Sequence, residues 1–208
     1  MIYLDYCSTT PLDPSVAEAM WAAARTCGGN PASQHRFGQQ ARQRLEAARE
    51  RLANLIGADV GAVRGDRLIF TSGGTESNNL ALRGLAGDPP GRILISSVEH
   101  PSVNGPAESL GQSGFEIVRL PVNEHGVVRL EALREALDRG ARLVSIQAGN
   151  HETGVRQPLP EIAGLCHERG VPLHVDAVQA AGKVPIDFRG WNLSALTFTA
   201  HKIHGPTG

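Results

Sequence analysis

Residues 143–176 decide the fold, and they read LVSIQAGNHETGVRQPLPEIAGLCHERGVPLHVD. The stretch opens with one apolar run at 143–146 and closes with another at 173–175. Between them, Ile162 and Leu165 mark a helical pattern that Gly170 ends. A strand, a helix and a second strand in this order predict a βαβ unit with parallel strands.

The same alternation extends along the rest of the chain. Short apolar runs predict strands at 68–70, 93–95, 115–120 and 195–199. Helical patterns lie at 37–55 and 130–137, followed by Gly57 and Gly140 at the C-caps. Several runs are continuously apolar, as are strands covered on both faces. We expect an α/β fold with a mainly parallel sheet flanked by helices, whose ligands bind at the carboxyl ends of the strands.

Composition excludes several classes of protein. The 208 residues carry 20 Lys and Arg against 21 Asp and Glu, which gives no reason to expect nucleic acid or an anionic membrane as partner. No apolar run approaches the roughly 20 residues of a membrane helix, and the start lacks the pattern of a signal peptide. Cys7, Cys27 and Cys166 are odd in number and scattered, so we expect no disulfide, no zinc site and a reduced, cytoplasmic setting.

A glycine-rich turn follows the predicted strand at 68–70 and reads SGGTESNN from residue 72. Gly73 and Gly74 let a ligand approach the backbone, the helix start offers unpaired N–H groups, and Thr75 adds a hydroxyl. This combination suits a phosphate. The alternative is an ordinary tight turn, since glycine-rich turns are common.

Polar side chains follow the next predicted strands. His100 follows the first of these strands, His151 another, and Asp176 and Gln179 a third. An Asp at the end of an apolar strand needs a cationic partner, such as a protonated pyridine nitrogen. His174 and Asp176 could instead be two metal ligands on one face, but no further His, Cys and Asp grouping surrounds them, so no metal is expected.

Lys202 lies in the turn after the last predicted strand, between His201 and His204. A desolvated lysine in such a turn is suited to Schiff-base chemistry, and the alternative is an ordinary surface lysine. Consecutive predicted strands are thus followed by a glycine-rich turn suited to a phosphate, a His, an Asp and a Lys. Together they describe a ligand with a phosphate, a flat ring, a basic ring nitrogen and an aldehyde, which is pyridoxal 5′-phosphate.

These motifs resemble those of the NifS/IscS-type cysteine desulfurases, within the class V aminotransferase group of fold-type I pyridoxal-phosphate enzymes. The resemblance spans essentially the whole chain and rests on YLDYCSTTP (3–11), GNPASQH (29–35), TSGGTESN (71–78), EH (99–100), HVDAVQ (174–179) and HKIHGPTG (201–208). The segment 29–35 points most specifically to the desulfurase branch.

The resemblance implies a role for each matching residue. Lys202 would hold the cofactor through a Schiff base and move protons, and Asp176 would pair with the ring nitrogen in ionised form. His100 would stack on the ring and assist proton transfer, and Gln179 would bond the phenolic oxygen. The phosphate would be held by four residues: Gly74, Thr75, Thr199 and His201.

Two features depart from the family pattern. His151 stands where the family has the second Asn of Asn-Asn-Glu-x-Gly, and we expect it to tune the cofactor rather than bind a metal.

The second departure is length, since members of the family are about twice as long as this chain. The resemblance therefore implies an N-terminal segment at 1–15, an incomplete cofactor-binding large domain at 16–208, and a small C-terminal domain outside this chain. The persulfide-forming cysteine and the arginine for the substrate carboxylate belong to that later part, so the three cysteines here are interpreted as structural or incidental.

The function implied by the resemblance is conversion of L-cysteine to L-alanine, with the sulfur passed on as an enzyme persulfide. The partner would be a sulfur-acceptor protein such as an iron–sulfur scaffold, and the enzyme a cytoplasmic homodimer. The 208 residues alone are expected to be inactive. Two alternatives stay open: another class V enzyme, such as a selenocysteine lyase or an aminotransferase, and a non-catalytic scaffold with this fold.

Overall fold

The computed structural model describes residues 2–207, in which five strands form one parallel sheet. The strands are β1 (Gly91–Ser96), β2 (Phe115–Leu120), β3 (Leu143–Gln147), β4 (Leu173–Asp176) and β5 (Ala195–Thr197). Their order is β2-β1-β3-β4-β5, and every neighbouring pair is parallel. This arrangement confirms the predicted α/β fold with a parallel sheet.

Helices connect the strands and cover the sheet. They are α1 (Pro14–Thr26), α2 (Arg36–Leu55), α3 (Gly74–Ala86), α4 (Pro101–Gln112), α5 (Leu130–Asp138) and α6 (Leu159–Glu168), followed by a 3-10 turn at Ala200–Lys202. The glycines predicted to follow three of these helices, Gly57, Gly140 and Gly170, have φ values of 73°, 84° and 63°, which L side chains rarely adopt. No helix within residues 2–207 is long and apolar enough to cross a membrane.

The core consists of two apolar layers, one on each face of the sheet. On β1, Leu94 belongs to the layer under α5 and α6, whereas Ile93 and Ile95 belong to the layer under α3 and α4. Alternate residues of a strand point to opposite faces, so a strand buried on both faces is apolar throughout. The continuous apolar runs in the sequence have this origin.

The prediction of a strand at 68–70 is wrong. The segment is irregular, and Ile69 and Phe70 are 67% and 48% exposed. A strand needs a hydrogen-bonded neighbour, but an apolar cavity of about 650 Å³ lies between this segment and β5. No other strand within residues 2–207 pairs with it, so the apolar run alone does not make it part of the sheet. The predicted last strand is likewise shorter, ending at Thr197 instead of 199.

Candidate active site

A cavity of about 550 Å³ opens at the carboxyl ends of β1, β3, β4 and β5. Because these strands are parallel, the segments that follow them meet at one edge of the sheet. All nine residues that the sequence singled out line this cavity: Gly74, Thr75, His100, His151, Asp176, Gln179, Thr199, His201 and Lys202. The structure therefore brings together side chains that are up to 128 positions apart in the chain, from Gly74 to Lys202.

The start of α3 forms one end of the cavity. Its first internal hydrogen bond runs from Ser77 N to Gly73 O, over 3.1 Å. The N–H groups between these residues have no acceptor in the helix and, with the helix dipole, favour an anion. The backbone is packed closely here, since a Cβ added at Gly74 would lie 3.1 Å from Val178 Cγ2 and 3.9 Å from Thr199 Cβ. This end of the cavity suits a phosphate.

Asp176 ends β4 and is 5% exposed. Its Oδ2 accepts a hydrogen bond from Asn78 Nδ2 (2.8 Å), and its Oδ1 accepts one from Val178 N (3.0 Å). Asn78 is fully buried on α3, and sequence reasoning assigned it no role. The spacing in the sequence indicates that Asn78 is buried. Asn78, Leu82 and Ala86 recur at intervals of four and form the buried face of α3. A polar residue on such a face needs a hydrogen-bond partner.

Lys202 closes the 3-10 turn after β5, and the N-terminal segment packs against it. Lys202 Nζ donates to Cys7 O (2.5 Å) and to Ser8 O (2.6 Å), and the backbone of Thr10 donates to His201 O (2.9 Å). Burial and the nearby charge of Lys183 lower the pKa of Lys202 from its ordinary value of 10.5. A lowered pKa increases the fraction of neutral amine, which is the form that attacks an aldehyde.

His100 and His151 lie beside each other in the cavity, with ring centroids 5.1 Å apart and ring planes at 76°. His100 is the N-cap of α4, and its Nδ1 lies 3.1 Å from Ser102 N and 2.7 Å from Ser102 Oγ. Burial and the neighbouring His151 lower the pKa of His100 below its ordinary value of 6.5. His151 Nε2 lies 3.9 Å from Glu152 Oε1.

Two of the other predicted ligands, Gln179 and His201, already have protein partners. Gln179 Nε2 donates to Cys7 O (2.7 Å), and Gln179 Oε1 accepts from Lys183 Nζ (3.1 Å). His201 Nδ1 lies 3.1 Å from Thr9 Oγ1, and burial lowers the pKa of His201. Both side chains thus also fasten the N-terminal segment to the cavity.

The three cysteines have different surroundings. All are free thiols: Cys7 is exposed and lines the cavity, Cys27 is half-buried, and Cys166 is buried in α6. Burial raises the pKa of the Cys166 thiol to about 12, which makes it inert at neutral pH. The position of Cys7 depends on how the N-terminal segment folds back, which spacing in the sequence does not indicate.

Glu99 is a second buried residue that sequence reasoning left without a role. It is 6% exposed, its Oε1 accepts from Gln147 N (2.9 Å) and from Ser96 Oγ, and its Oε2 has no hydrogen-bond partner within residues 2–207. Burial raises the pKa of this carboxyl from 4.5 to about 8. The raised pKa favours the neutral form of the side chain at pH 7.

His174 is bonded within the sheet through both ring nitrogens. It is fully buried, with Nδ1 2.9 Å from Ser145 Oγ and Nε2 3.1 Å from Thr197 Oγ1, so both ring nitrogens already have partners in the sheet. Within the described residues, no three His, Cys, Asp or Glu side chains are placed to hold a metal ion.

The donor set fits pyridoxal 5′-phosphate. The free N–H groups of α3 suit its phosphate, and the buried carboxylate of Asp176 suits a protonated ring nitrogen. Lys202, at the same cavity, suits its aldehyde. Fold and site together define the cofactor-binding domain of a pyridoxal-phosphate enzyme built on a parallel α/β sheet.

The chain belongs to the family described as "Aminotransferase class-V", whose sequence profile matches residues 2–208. It is 46% identical over 211 residues to the cysteine desulfurase IscS of Rickettsia felis, covering 100% of this chain and 50% of that protein. It is 43% identical to the mitochondrial cysteine desulfurase of Arabidopsis thaliana, of which it covers 46%. The chain thus spans about half the length of the curated relatives it matches.

Solved structures agree with these sequence matches. A NifS-like protein from Rickettsia africae superposes on the whole chain with a TM-score of 0.89 at 34% identity, over 56% of its own length. The structure of SspA in complex with cysteine superposes with a TM-score of 0.91 at 31% identity, over 59% of its length. Members of this family use pyridoxal 5′-phosphate, in agreement with the cofactor predicted from the strand ends.

Proposed function

We propose that this chain is the cofactor-binding part of a cysteine desulfurase, which converts L-cysteine to L-alanine and transfers the sulfur as a persulfide. The observation that carries the proposal is the presence of Lys202, Asp176 and the start of α3 around one cavity. The names of its relatives and the cysteine bound to SspA support the substrate.

Each residue has a task in this proposal. The start of α3, with Thr75, Thr199 and His201, binds the phosphate, and Asp176 keeps the ring nitrogen protonated. Gln179 would donate to the phenolic oxygen, and His100, with His151 beside it, would contact the ring. Bound pyridoxal phosphate supplies an electron sink that stabilises negative charge at the substrate carbon next to nitrogen.

Lys202 is the group that moves protons. Its lowered pKa allows Nζ to take a proton at the cavity and return it, and no other lysine lines the cavity within residues 2–207. The carbonyl oxygens of Cys7 and Ser8 hold Nζ in position when it is protonated. The N-terminal segment therefore takes part in the site.

We further propose that the enzyme is a cytoplasmic homodimer that passes sulfur to an acceptor protein such as an iron–sulfur scaffold. The three free thiols agree with a reducing compartment. The names of the IscS relatives support the sulfur-transfer role. Support for a second copy comes from α1, which has no buried residue and exposes 70% of Trp21.

Labelling of the lysines tests the proposal, because residues 1–208 contain Lys183 and Lys202 and it is Lys202 that lines the cavity. The full-length protein is incubated with pyridoxal 5′-phosphate, reduced with borohydride and digested for mass spectrometry. We expect the adduct on Lys202, its loss in Lys202→Ala, and its retention in the control Lys183→Ala.

Turnover then decides the reaction. We expect sulfide and alanine to form from L-cysteine under reducing conditions, and more than a hundredfold loss in Lys202→Ala, since proton transfer by a positioned group contributes about 10²–10⁴-fold. Transamination of alanine without sulfide release would reject the desulfurase proposal, and an adduct retained on Lys183 would reject the role of Lys202.

A further inference from the structure

We propose that Ser102 and Asn78 fix His100 as the neutral tautomer that carries its proton on Nε2. His100 would then be a hydrogen-bond donor in the cofactor cavity and not a proton-accepting base. Ser102 is the positioning residue in this arrangement. The inference concerns the cavity used by the proposed function, but its test needs no turnover.

The first link joins Asp176 to Asn78. The Asn78 amide turns its NH₂ group toward Asp176 Oδ2 and donates to it over 2.8 Å. The opposite amide orientation would place two acceptors against each other. Asn78 Oδ1 has no partner within residues 2–207, so the orientation is maintained even though it leaves a buried oxygen unpaired.

The second step is from Asn78 to Ser102. The same Nδ2 lies 2.9 Å from Ser102 Oγ and donates its other hydrogen there. Ser102 is 8% exposed and Asn78 fully buried. Because Ser102 Oγ already accepts this bond, its own hydrogen is free to be donated elsewhere, and His100 Nδ1 lies 2.7 Å away.

The third step fixes the imidazole. Two donors, the Ser102 hydroxyl and the Ser102 backbone N–H at 3.1 Å, both meet Nδ1. This nitrogen must therefore present its lone pair, as an N-cap acceptor does, and the single proton of the neutral ring lies on Nε2. A hydrogen on Nδ1 would break the bond from the Ser102 backbone N–H, and the hydroxyl bond would have to reverse. Protonation of both ring nitrogens would in addition place positive charge at the start of α4, where the helix dipole disfavours it.

The groups around His100 mostly oppose its protonation. His151 from the loop after β3 and Lys202 from the 3-10 turn disfavour a second positive charge, whereas Asp176 at the end of β4 favours one. Burial acts in the same direction as the first two. A ring that is neutral and already protonated on Nε2 donates a hydrogen bond to an oxygen of the cofactor or substrate. The proton-transfer role that the resemblance implied for His100 therefore passes to Lys202.

The tautomer can be measured directly by nitrogen NMR on the full-length protein labelled with ¹⁵N-histidine, without and with pyridoxal 5′-phosphate. The His100 signals are assigned by their loss in His100→Gln. At pH 7 we expect a pyridine-like Nδ1 and a pyrrole-like Nε2. A pyrrole-like Nδ1 in the wild-type protein would overturn the proposal, and the His100→Gln variant serves only to assign the signals.

Variants test the part played by Ser102. Ser102→Ala removes one donor to the neutral ring, so we expect the pKa of His100 to rise by up to about one unit and the tautomers to mix. Ser102→Thr, which keeps the hydroxyl, should restore the wild-type signals. The control Ser113→Ala removes a serine hydroxyl at the other end of α4, where it donates to Ser109 O, and should change nothing.

An unchanged His100 pKa and tautomer in Ser102→Ala would overturn the positioning role. Failure of the protein to release sulfide would reject the proposed function but leave these spectra as they are. The two proposals are therefore tested separately.

Discussion

Glu99 is a buried carboxyl residue directly before His100 in the chain. Its Oε1 accepts from Gln147 N, whereas its Oε2 lies buried without a partner within residues 2–207. Taking a carboxylate out of water disfavours its charge, and the nearby Asp176 opposes a second negative charge. Asp176 is the carboxyl residue at the end of β4 that the proposed function pairs with the ring nitrogen.

The neutral state of Glu99 predicts a pH dependence of folding. Its pKa is about 8 when folded and near 4.5 when unfolded, so its contribution to stability is present below about pH 4.5 and is lost as pH rises toward 8. Glu99→Gln keeps the shape without a charge to develop. We expect its free energy of unfolding to fall less between about pH 5 and about pH 8 than that of wild type, by roughly 1–3 kcal/mol.

Urea unfolding at the two pH values measures this difference. Glu135→Gln on the exposed face of α5 is the matched control and should follow the wild-type curve. Equal pH dependence in wild type and Glu99→Gln would show that Glu99 is ionised in the folded protein.

The positions of single site residues could be predicted from the sequence where they follow a strand or begin a helix. The nine proposed cofactor ligands follow strand ends or open a helix, and parallel strands bring such positions to one edge. The helical spacing of Asn78 indicates that it is buried, but its partner Asp176 lies on another element and could not be identified from the sequence. The same holds for Glu99 with Gln147 and for Ser102 with Asn78. Whether the nine residues bind as the resemblance implies stays a prediction.

Among the elements, the middle of the sheet contains a row of polar side chains inside an apolar layer. Ser145 on β3, His174 on β4 and Thr197 on β5 are all buried, and the imidazole bridges the two hydroxyls. A neutral imidazole has one donor and one acceptor, and each hydroxyl can supply the complement. The row therefore ties three neighbouring strands together beside Asp176.

The cost of replacing His174 should therefore depend on whether its two hydroxyl partners are still present. His174→Leu should lower the free energy of unfolding by about 2–4 kcal/mol, because two buried hydroxyls lose their partner. The triple variant Ser145→Ala/His174→Leu/Thr197→Val removes all the polar groups and should recover most of that loss. Urea unfolding at neutral pH gives both values.

Acid provides a second measurement on the same variants. Burial lowers the pKa of His174 to about 3, so the wild-type protein should lose stability as pH falls from about 6.5, because the unfolded chain takes up the proton first. The triple variant should lack this loss. A triple variant as unstable as His174→Leu would mean that packing, not hydrogen bonding, sets the cost.

Strands were predicted correctly from the sequence where an apolar run also has a neighbouring strand to pair with. The runs at 115–120 and 143–146 became β2 and β3, both hydrogen-bonded to β1. The run at 68–70 has the same apolar character but no neighbouring strand within residues 2–207. Apolar pattern indicates that a segment suits a sheet, whereas pairing decides whether it joins one.

At the scale of the whole molecule, the first 70 residues are the part of the chain with the fewest buried side chains. Helix α1 has no buried residue, α2 buries only Gly38, Ala41 and Ala53, and the helical face predicted at 37–55 is largely open. Trp21 and Phe37 are 70% and 68% exposed. Exposed apolar side chains that cluster on one part of a protein are typical of interaction faces, and the proposed homodimer would cover them.

The proposed dimer gives the last prediction. We expect the full-length protein to be a dimer by light scattering and Trp21→Glu to weaken the dimer by at least tenfold, because a charge at an apolar interface must be desolvated without a partner. The control Val63→Glu places the same charge on a fully exposed loop residue and should leave the dimer intact. If other parts of the same polypeptide cover α1 instead, Trp21→Glu will lower the melting temperature without changing the mass. A monomeric wild-type protein, or equal effects of the two substitutions, would remove the face formed by α1 from the proposal.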